Sequence, residues 1–139
     1  MRKFVQTVER EKIQLIFNWC KKKFKTSKYF EGYPRFRVYK TRGLSTDKDG
    51  LRGKYENNQI SIFLLSITSV RNLCETIIHE YKHYLLPDDY DKIYTKLIAK
   101  YKSDNKTYKN HPHEKICCKF EKKWGIICFN EFKKEFYNK

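Results

Sequence analysis

One short segment, Thr76–Leu85, constrains the fold most strongly, because it combines an apolar helical pattern with metal-site residue types. His79 and His83 are four residues apart, a spacing that places both imidazoles on one face of a helix. The positions around the pair are apolar, as a buried helix requires: Ile77, Ile78, Leu85 and Leu86.

The same segment has the pattern His-Glu-x-x-His, and each of its three defined residues has a chemical use. Two imidazole nitrogens at this spacing can reach one zinc ion. Zinc lowers the pKa of its bound water, and Glu80, next to His79, can take that proton without ligating the metal. The alternative is an exposed helix on which these residues are only polar surface groups.

The rest of the chain predicts an α+β fold: an N-terminal helix, a small antiparallel β-sheet, then the His-pair helix and further helices. Its 139 residues favour a single domain. Asn57 and Asn58 predict a hairpin turn, the segments 41–53 and 103–110 predict loops, and Gly125 predicts a helix end. The remaining predicted elements are a helix over 2–25, strands over 35–40, 54–56 and 59–65, and helices over 70–86, 90–102 and 112–124.

The formal net charge of +15 at pH 7 implies attraction to nucleic acid, anionic membranes or acidic proteins. Most of the basic residues are lysines, which are spread along the whole chain and form no arginine-rich stripe. An AT-rich genome would also raise the lysine content without selection for binding. We therefore expect a solvated basic surface, and nucleic acid stays open as a partner.

The five cysteines are odd in number and form no Cys-x-x-Cys pair, so we expect reduced and mostly buried thiols. The first ten residues are charged and lack the apolar stretch of a signal peptide. No apolar run approaches the length of a membrane span. These features favour a cytoplasmic protein that is not secreted, and a viral or phage protein acting in a host cytoplasm would share them.

Downstream of the His pair, the stretch 110–117 has the sequence Asn-His-Pro-His-Glu-Lys-Ile-Cys. Together with the strand over 59–65 and the His-Glu-x-x-His helix, it resembles the gluzincin group of zinc metallopeptidases, especially the compact ImmA/IrrE-type enzymes, over about 54–124. Such proteins commonly carry a His-Pro-x-Glu-x-x-Ala pattern whose Glu binds zinc. The resemblance therefore implies that Glu114 is the third metal ligand beside His79 and His83. Cys117 stands where a small alanine is usual.

Three other residues compete with Glu114 for the third ligand position. His111 and His113 are good zinc ligands chemically, and SprT-like proteases use a downstream His, although their characteristic His-Gly pair is absent here. Asp89 lies where metzincin-like enzymes place their third ligand. Those enzymes need a glycine turn where this chain has Leu86, and leucine resists the positive φ of such a turn.

Further polar residues are candidates for roles around the metal. We predict that His111 is a catalytic residue that either stabilises the oxyanion or supports a metal ligand through a hydrogen bond, with Tyr108 and Tyr84 as alternatives. Glu75, four residues before His79, either orients that imidazole or is an ordinary surface charge on the helix.

The function implied is a zinc-dependent metallopeptidase that hydrolyses peptide bonds in a protein or peptide substrate, with Glu80 as general base. An extended substrate would pair with the sheet edge beside the strand over 59–65. The alternatives are a non-catalytic basic zinc-binding module that contacts nucleic acid or an acidic protein, and a DNA-associated SprT-like protease. Three protein ligands plus a water favour catalysis, whereas a closed four-ligand site favours a structural role.

Overall fold

The computed structural model describes residues 10–41, 51–101 and 104–137, and their fold is α+β. The described residues form five α-helices and a three-stranded mixed sheet, joined by turns and loops. The helices are α1 (Arg10–Phe24), α2 (Val70–Leu85), α3 (Tyr90–Tyr101), α4 (Asp104–Asn110) and α5 (Pro112–Tyr137). The strands are β1 (Arg35–Tyr39), β2 (Gly53–Glu56) and β3 (Gln59–Phe63), after which Leu64–Ser66 forms one 3₁₀ turn.

Helix α1 buries one apolar face against the rest of the protein. Ile13, Ile16, Phe17 and Cys20 recur at helical spacing and are buried. The predicted N-terminal helix is therefore confirmed over Arg10–Phe24, while positions 2–9 lie outside the described residues.

The sheet has the order β1-β3-β2, and its strands are not all antiparallel as predicted. Strands β2 and β3 form the expected antiparallel hairpin, whose turn residues Asn57 and Asn58 have φ angles of 52° and 57°. Strand β1 pairs with β3 in parallel. All three predicted strands are present, although the one predicted over 59–65 ends at Phe63. Strand β3 is central and buries Ile60 and Ile62 in the core.

Helices α2 and α5 pack against each other and carry most of the chemistry-bearing residues. Helix α5 continues to Tyr137, so the predicted helix end at Gly125 is wrong. A Cβ added at Gly125 would lie 2.6 Å from Glu75 Cγ, so this glycine serves the close approach of the two helices and not helix termination. The predicted loop over 103–110 is also wrong, because Asp104–Asn110 forms α4 and buries Thr107.

The core lies between the sheet and the helices α1, α2 and α5. Four of the five cysteines are buried, only Cys118 is exposed, and all five are free thiols, as expected for reduced cysteines. Of the helices in the described part of the chain, none has the length and apolar character needed to cross a membrane.

Candidate metal centre

Helix α2 carries the His pair, and its ends are defined by local sequence. The N–H of Asn72 donates to Ser69 Oγ at 3.0 Å, which caps the helix start. The helix ends at Leu85, and Leu86 is extended before Pro87. One face of the helix enters the apolar core, and the face that carries His79 and His83 turns toward α5.

The start of α5 places Glu114 directly against both imidazoles. Glu114 Oε1 lies 2.8 Å from His79 Nε2 and 3.1 Å from His83 Nε2. The other carboxylate oxygen, Oε2, accepts a hydrogen bond from the Tyr90 hydroxyl at 2.8 Å. Burial alone would raise the pKa of Glu114, but hydrogen bonds and charge from the two histidines outweigh it and hold the pKa well below its usual range.

These three donor atoms are of the types that bind zinc in proteins. Zinc bonds to nitrogen and oxygen are about 2.0–2.2 Å long, so tetrahedral ligand atoms lie about 3.3–3.6 Å apart. The two observed contacts to Glu114 Oε1, 2.8 and 3.1 Å, are shorter than this, so the three side chains would have to move apart to admit an ion. Two imidazoles and a carboxylate are also the donor set of many catalytic zinc sites.

The surrounding residues include further groups that could hold a metal ion. Cys117 lies with His79 and His83 in one group, whose ligand atoms are within 4.8 Å of one another. Cys118 and Glu121 form a second group with His79, with the same limit on distance. Cys117, Cys118 and Glu121 all belong to the N-terminal part of α5, and each is grouped with at least one histidine of α2.

Glu121 orients His79 from the side opposite to Glu114. Its Oε1 accepts a hydrogen bond from His79 Nδ1–H at 2.7 Å, which leaves Nε2 to face Glu114. Burial lowers the pKa of His79, but hydrogen bonds with Cys118, Glu114 and Glu121 outweigh it and the pKa is raised overall.

Sequence reasoning missed Glu121 and considered Glu75 for this orienting position. Glu75 instead forms an ion pair with Arg71 at 3.8 Å and packs against Gly125. The available signal was the seven-residue spacing from Glu114 to Glu121, which puts both carboxylates on one face of the same helix.

Glu80 is buried beside the His pair and faces the adjacent cavity. Burial raises the pKa of Glu80, and the neighbouring imidazoles oppose that shift. A Cβ added at Gly53 would lie 2.7 Å from Thr76 Cγ2 and 3.0 Å from Glu80 Cγ. Strand β2 can therefore approach this part of α2 only because residue 53 is glycine.

The predicted oxyanion role of His111 does not fit its surroundings. The side chain is fully buried, its Nε2 donates to the Tyr90 carbonyl at 2.9 Å, and its Nδ1 accepts from the His113 N–H at 3.1 Å. Its ring also stacks on Tyr90, with ring centroids 3.8 Å apart. Because both ring nitrogens already have hydrogen-bond partners, we infer that His111 holds Tyr90 in place. The Tyr90 hydroxyl in turn donates a hydrogen bond to Glu114.

The other two candidates for the third ligand pair with each other. His113 Nε2 lies 2.9 Å from Asp89 Oδ1. Burial lowers the pKa of His113. His79, His83 and Glu114 converge without either of them.

The three tyrosines near the site have different surroundings. Tyr84 points away from His79, His83 and Glu114, since its hydroxyl donates to the Gly32 carbonyl and accepts from the Ser27 N–H. Tyr108 lines the cavity and interacts with Glu114, as does Tyr90. Burial, reinforced by the Glu114 charge, raises the pKa of both of these tyrosines, so their hydroxyls keep their protons at neutral pH.

A cavity of about 530 Å³ opens beside Glu80, His83 and Glu114. Strand β2 forms another part of its wall. Carboxylates outnumber basic groups in the lining, which is notable on a chain with a net charge of +15. The acidic lining residues are Glu56, Glu80, Asp88, Asp91 and Glu114, and the one lysine, Lys54, forms an ion pair with Glu56.

Comparison of the chain with protein-family models, curated proteins and solved structures found no match.

Proposed function

We propose that this protein is a zinc-dependent metallopeptidase. The observation that carries the proposal is the contact of one Glu114 oxygen with Nε2 of both His79 and His83, next to a cavity that Glu80 also lines. Three protein ligands beside an accessible cavity are typical of a catalytic zinc site.

Each residue of the site has a separate task in this proposal. Zinc, when bound by His79, His83 and Glu114, would polarise the substrate carbonyl and make its water acidic. Glu80 accepts the water's proton and delivers it to the leaving amine. Tyr108 takes the oxyanion role predicted for His111, because it lines the cavity and its hydroxyl keeps its proton.

The substrate path differs from the one expected from the sequence. Strand β3 is paired on both sides, so a peptide cannot add beside it, whereas β2 is an edge strand that lines the cavity. The two-residue turn makes Glu56 and Gln59 a hydrogen-bonded pair, and such pairs alternate with non-hydrogen-bonded ones along an antiparallel ladder. The N–H and C=O groups of Lys54, two residues before Glu56, therefore also point toward β3. The backbone groups of Gly53 and Tyr55 consequently point to the outer edge, where an extended substrate would pair.

The test is hydrolysis of a library of quenched fluorescent peptides by the zinc-loaded protein. Glu80→Gln should retain zinc and lose cleavage, since the amide can neither accept nor deliver the proton. Glu11→Gln, an exposed change of the same chemistry on α1, is the matched control and should cleave as the wild type does. Cleavage that persists in pure Glu80→Gln protein would rule out the assigned base.

A second candidate function, binding of single-stranded nucleic acid, is favoured by a separate surface. Lysine ammonium groups lie over the faces of aromatic rings where α1, α2 and α5 meet, at 4.6 to 5.9 Å from the ring centroids. Phosphates would contact the lysines while bases stack on partly exposed rings. This lysine–aromatic patch consists of Lys23, Lys82, Lys123, Trp19, Phe120 and Trp124.

Both tryptophans of the chain lie in the lysine–aromatic patch, so their fluorescence reports on it directly. Quenching by a single-stranded oligonucleotide should weaken with salt and be lost when Lys23, Lys82 and Lys123 are changed to Glu. The same charge change at three exposed lysines of α3 is the control: Lys92, Lys96 and Lys100. Equal weakening of oligonucleotide binding in both variants would show that the binding is general charge attraction and not a property of the lysine–aromatic patch.

A further inference from the structure

A cysteine thiol lies beside the proposed zinc ligands, at a position that the site as described so far does not use. Cys117 follows Glu114 by three residues on α5, so both side chains project from the same face of the helix. Its Sγ and one ring nitrogen from each of His79 and His83 all lie within 4.8 Å of one another. The side chain is fully buried, so the thiol is shielded from solvent.

The distances suit a fourth ligand. A zinc–sulfur bond is about 2.3 Å long, so tetrahedral sulfur and nitrogen ligands lie about 3.5–3.7 Å apart. This separation falls within the observed limit of 4.8 Å, and thiolates are among the strongest zinc ligands in proteins. Cys117, His79 and His83 therefore already present ligand atoms close enough to converge on one ion.

We propose that Cys117 is the fourth ligand of the resting metal site and that its thiolate must be displaced before water can bind. This inference rests on the proposed zinc site, because it adds a ligand to that site. A site with four protein ligands is closed to water and substrate. On metal binding the thiol releases its proton to solvent, and the displaced thiolate takes a proton back when the site opens.

The neighbouring cysteine provides a matched control. Cys118 is exposed and belongs to a different group, with His79 and Glu121. The same substitution at the two adjacent positions therefore separates a ligand grouped with both histidines from one grouped with His79 and Glu121. Serine keeps the size of the side chain, and Cys117→Ala provides a second variant if the serine hydroxyl perturbs the buried position.

The experiment is absorption spectroscopy of the full chain loaded with Co²⁺ in place of zinc. A cobalt–thiolate bond gives a charge-transfer band in the near ultraviolet. We expect the band in the wild type and in Cys118→Ser, and its loss in both Cys117 variants while one Co²⁺ per chain remains bound. A band that survives in Cys117→Ala, or a wild type that binds Co²⁺ without the band, would overturn the proposal and leave the three-ligand site intact.

Failure of the proposed function would give a different result, because a wild type that binds no Co²⁺ at all would remove the metal site itself. The closing role of the thiol has its own readout. Turnover of the zinc-loaded Cys117→Ala protein should exceed that of the wild type, since water no longer competes with sulfur. Unchanged turnover, in a variant that has lost the band, would refute the closing role.

Discussion

Removal of the Glu121 carboxylate should weaken zinc binding in two graded steps. Glu121 holds His79 Nδ1 through a hydrogen bond of 2.7 Å and is itself only about one-fifth exposed. Loss of such a partner typically costs 10- to 100-fold in metal affinity, or about 1.4–2.7 kcal/mol. Glu121→Gln keeps an acceptor oxygen but loses the charge, so we expect about a tenfold loss. Glu121→Ala loses both and should cost about 100-fold.

The assay is competition for zinc between the protein and a chromophoric chelator, at fixed pH and ionic strength. Glu131→Ala is the control, because Glu131 lies further along α5 and pairs with Trp19. We expect this control to bind zinc with wild-type affinity. Wild-type affinity in Glu121→Ala, or a greater loss in the glutamine variant than in the alanine variant, would refute the orienting role of the carboxylate.

Three further changes test the site from other directions. Gly53→Ala should lower the free energy of unfolding, measured by urea denaturation, by about 1–3 kcal/mol, because the new methyl group would overlap Thr76. It should also reduce the rate of hydrolysis, because the same methyl group would displace the Glu80 side chain. A double change, Asp88→Asn with Asp91→Asn, should lower kcat/KM by about two- to tenfold for peptides with basic side chains and leave neutral peptides unaffected. In metal-free protein the pKa of Glu114 is lower in the folded than in the unfolded state, so stability should fall with pH from about 5 downward. This loss of stability should be smaller in Glu114→Gln, as measured by the midpoint of urea unfolding at each pH. An unchanged pH dependence would contradict the ion pairs of Glu114 with His79 and His83.

The His-pair helix was predictable because its evidence is local. The apolar spacing, the serine cap at Ser69 and Pro87 after the helix all lie within one segment, and the structure places the helix at Val70–Leu85. Glu114 came from a resemblance to a family pattern and not from physical reasoning on spacing. Its contact with both imidazoles depends on how α5 packs on α2, which no local signal specifies.

The features that sequence reasoning missed depend on contacts between distant segments. Gly125 was expected to end a helix, but its lack of a side chain lets α5 pass close to Glu75. His111 was expected to stabilise the oxyanion or to support a metal ligand, and its position against Tyr90 depends on a hydrogen bond to a carbonyl 21 residues away. The parallel pairing of β1 with β3 likewise depends on which strand is central, and strand patterns alone do not specify that order.

The central claim is that one ion is held by residues of two helices, and a crystal structure of the zinc-loaded protein with anomalous scattering at the zinc edge tests it most directly. We expect a single strong peak about 2.0–2.2 Å from His79 Nε2, His83 Nε2 and Glu114 Oε1. A peak held by His111, His113 or Asp89 instead, or fully loaded crystals without a peak between α2 and α5, would contradict the account.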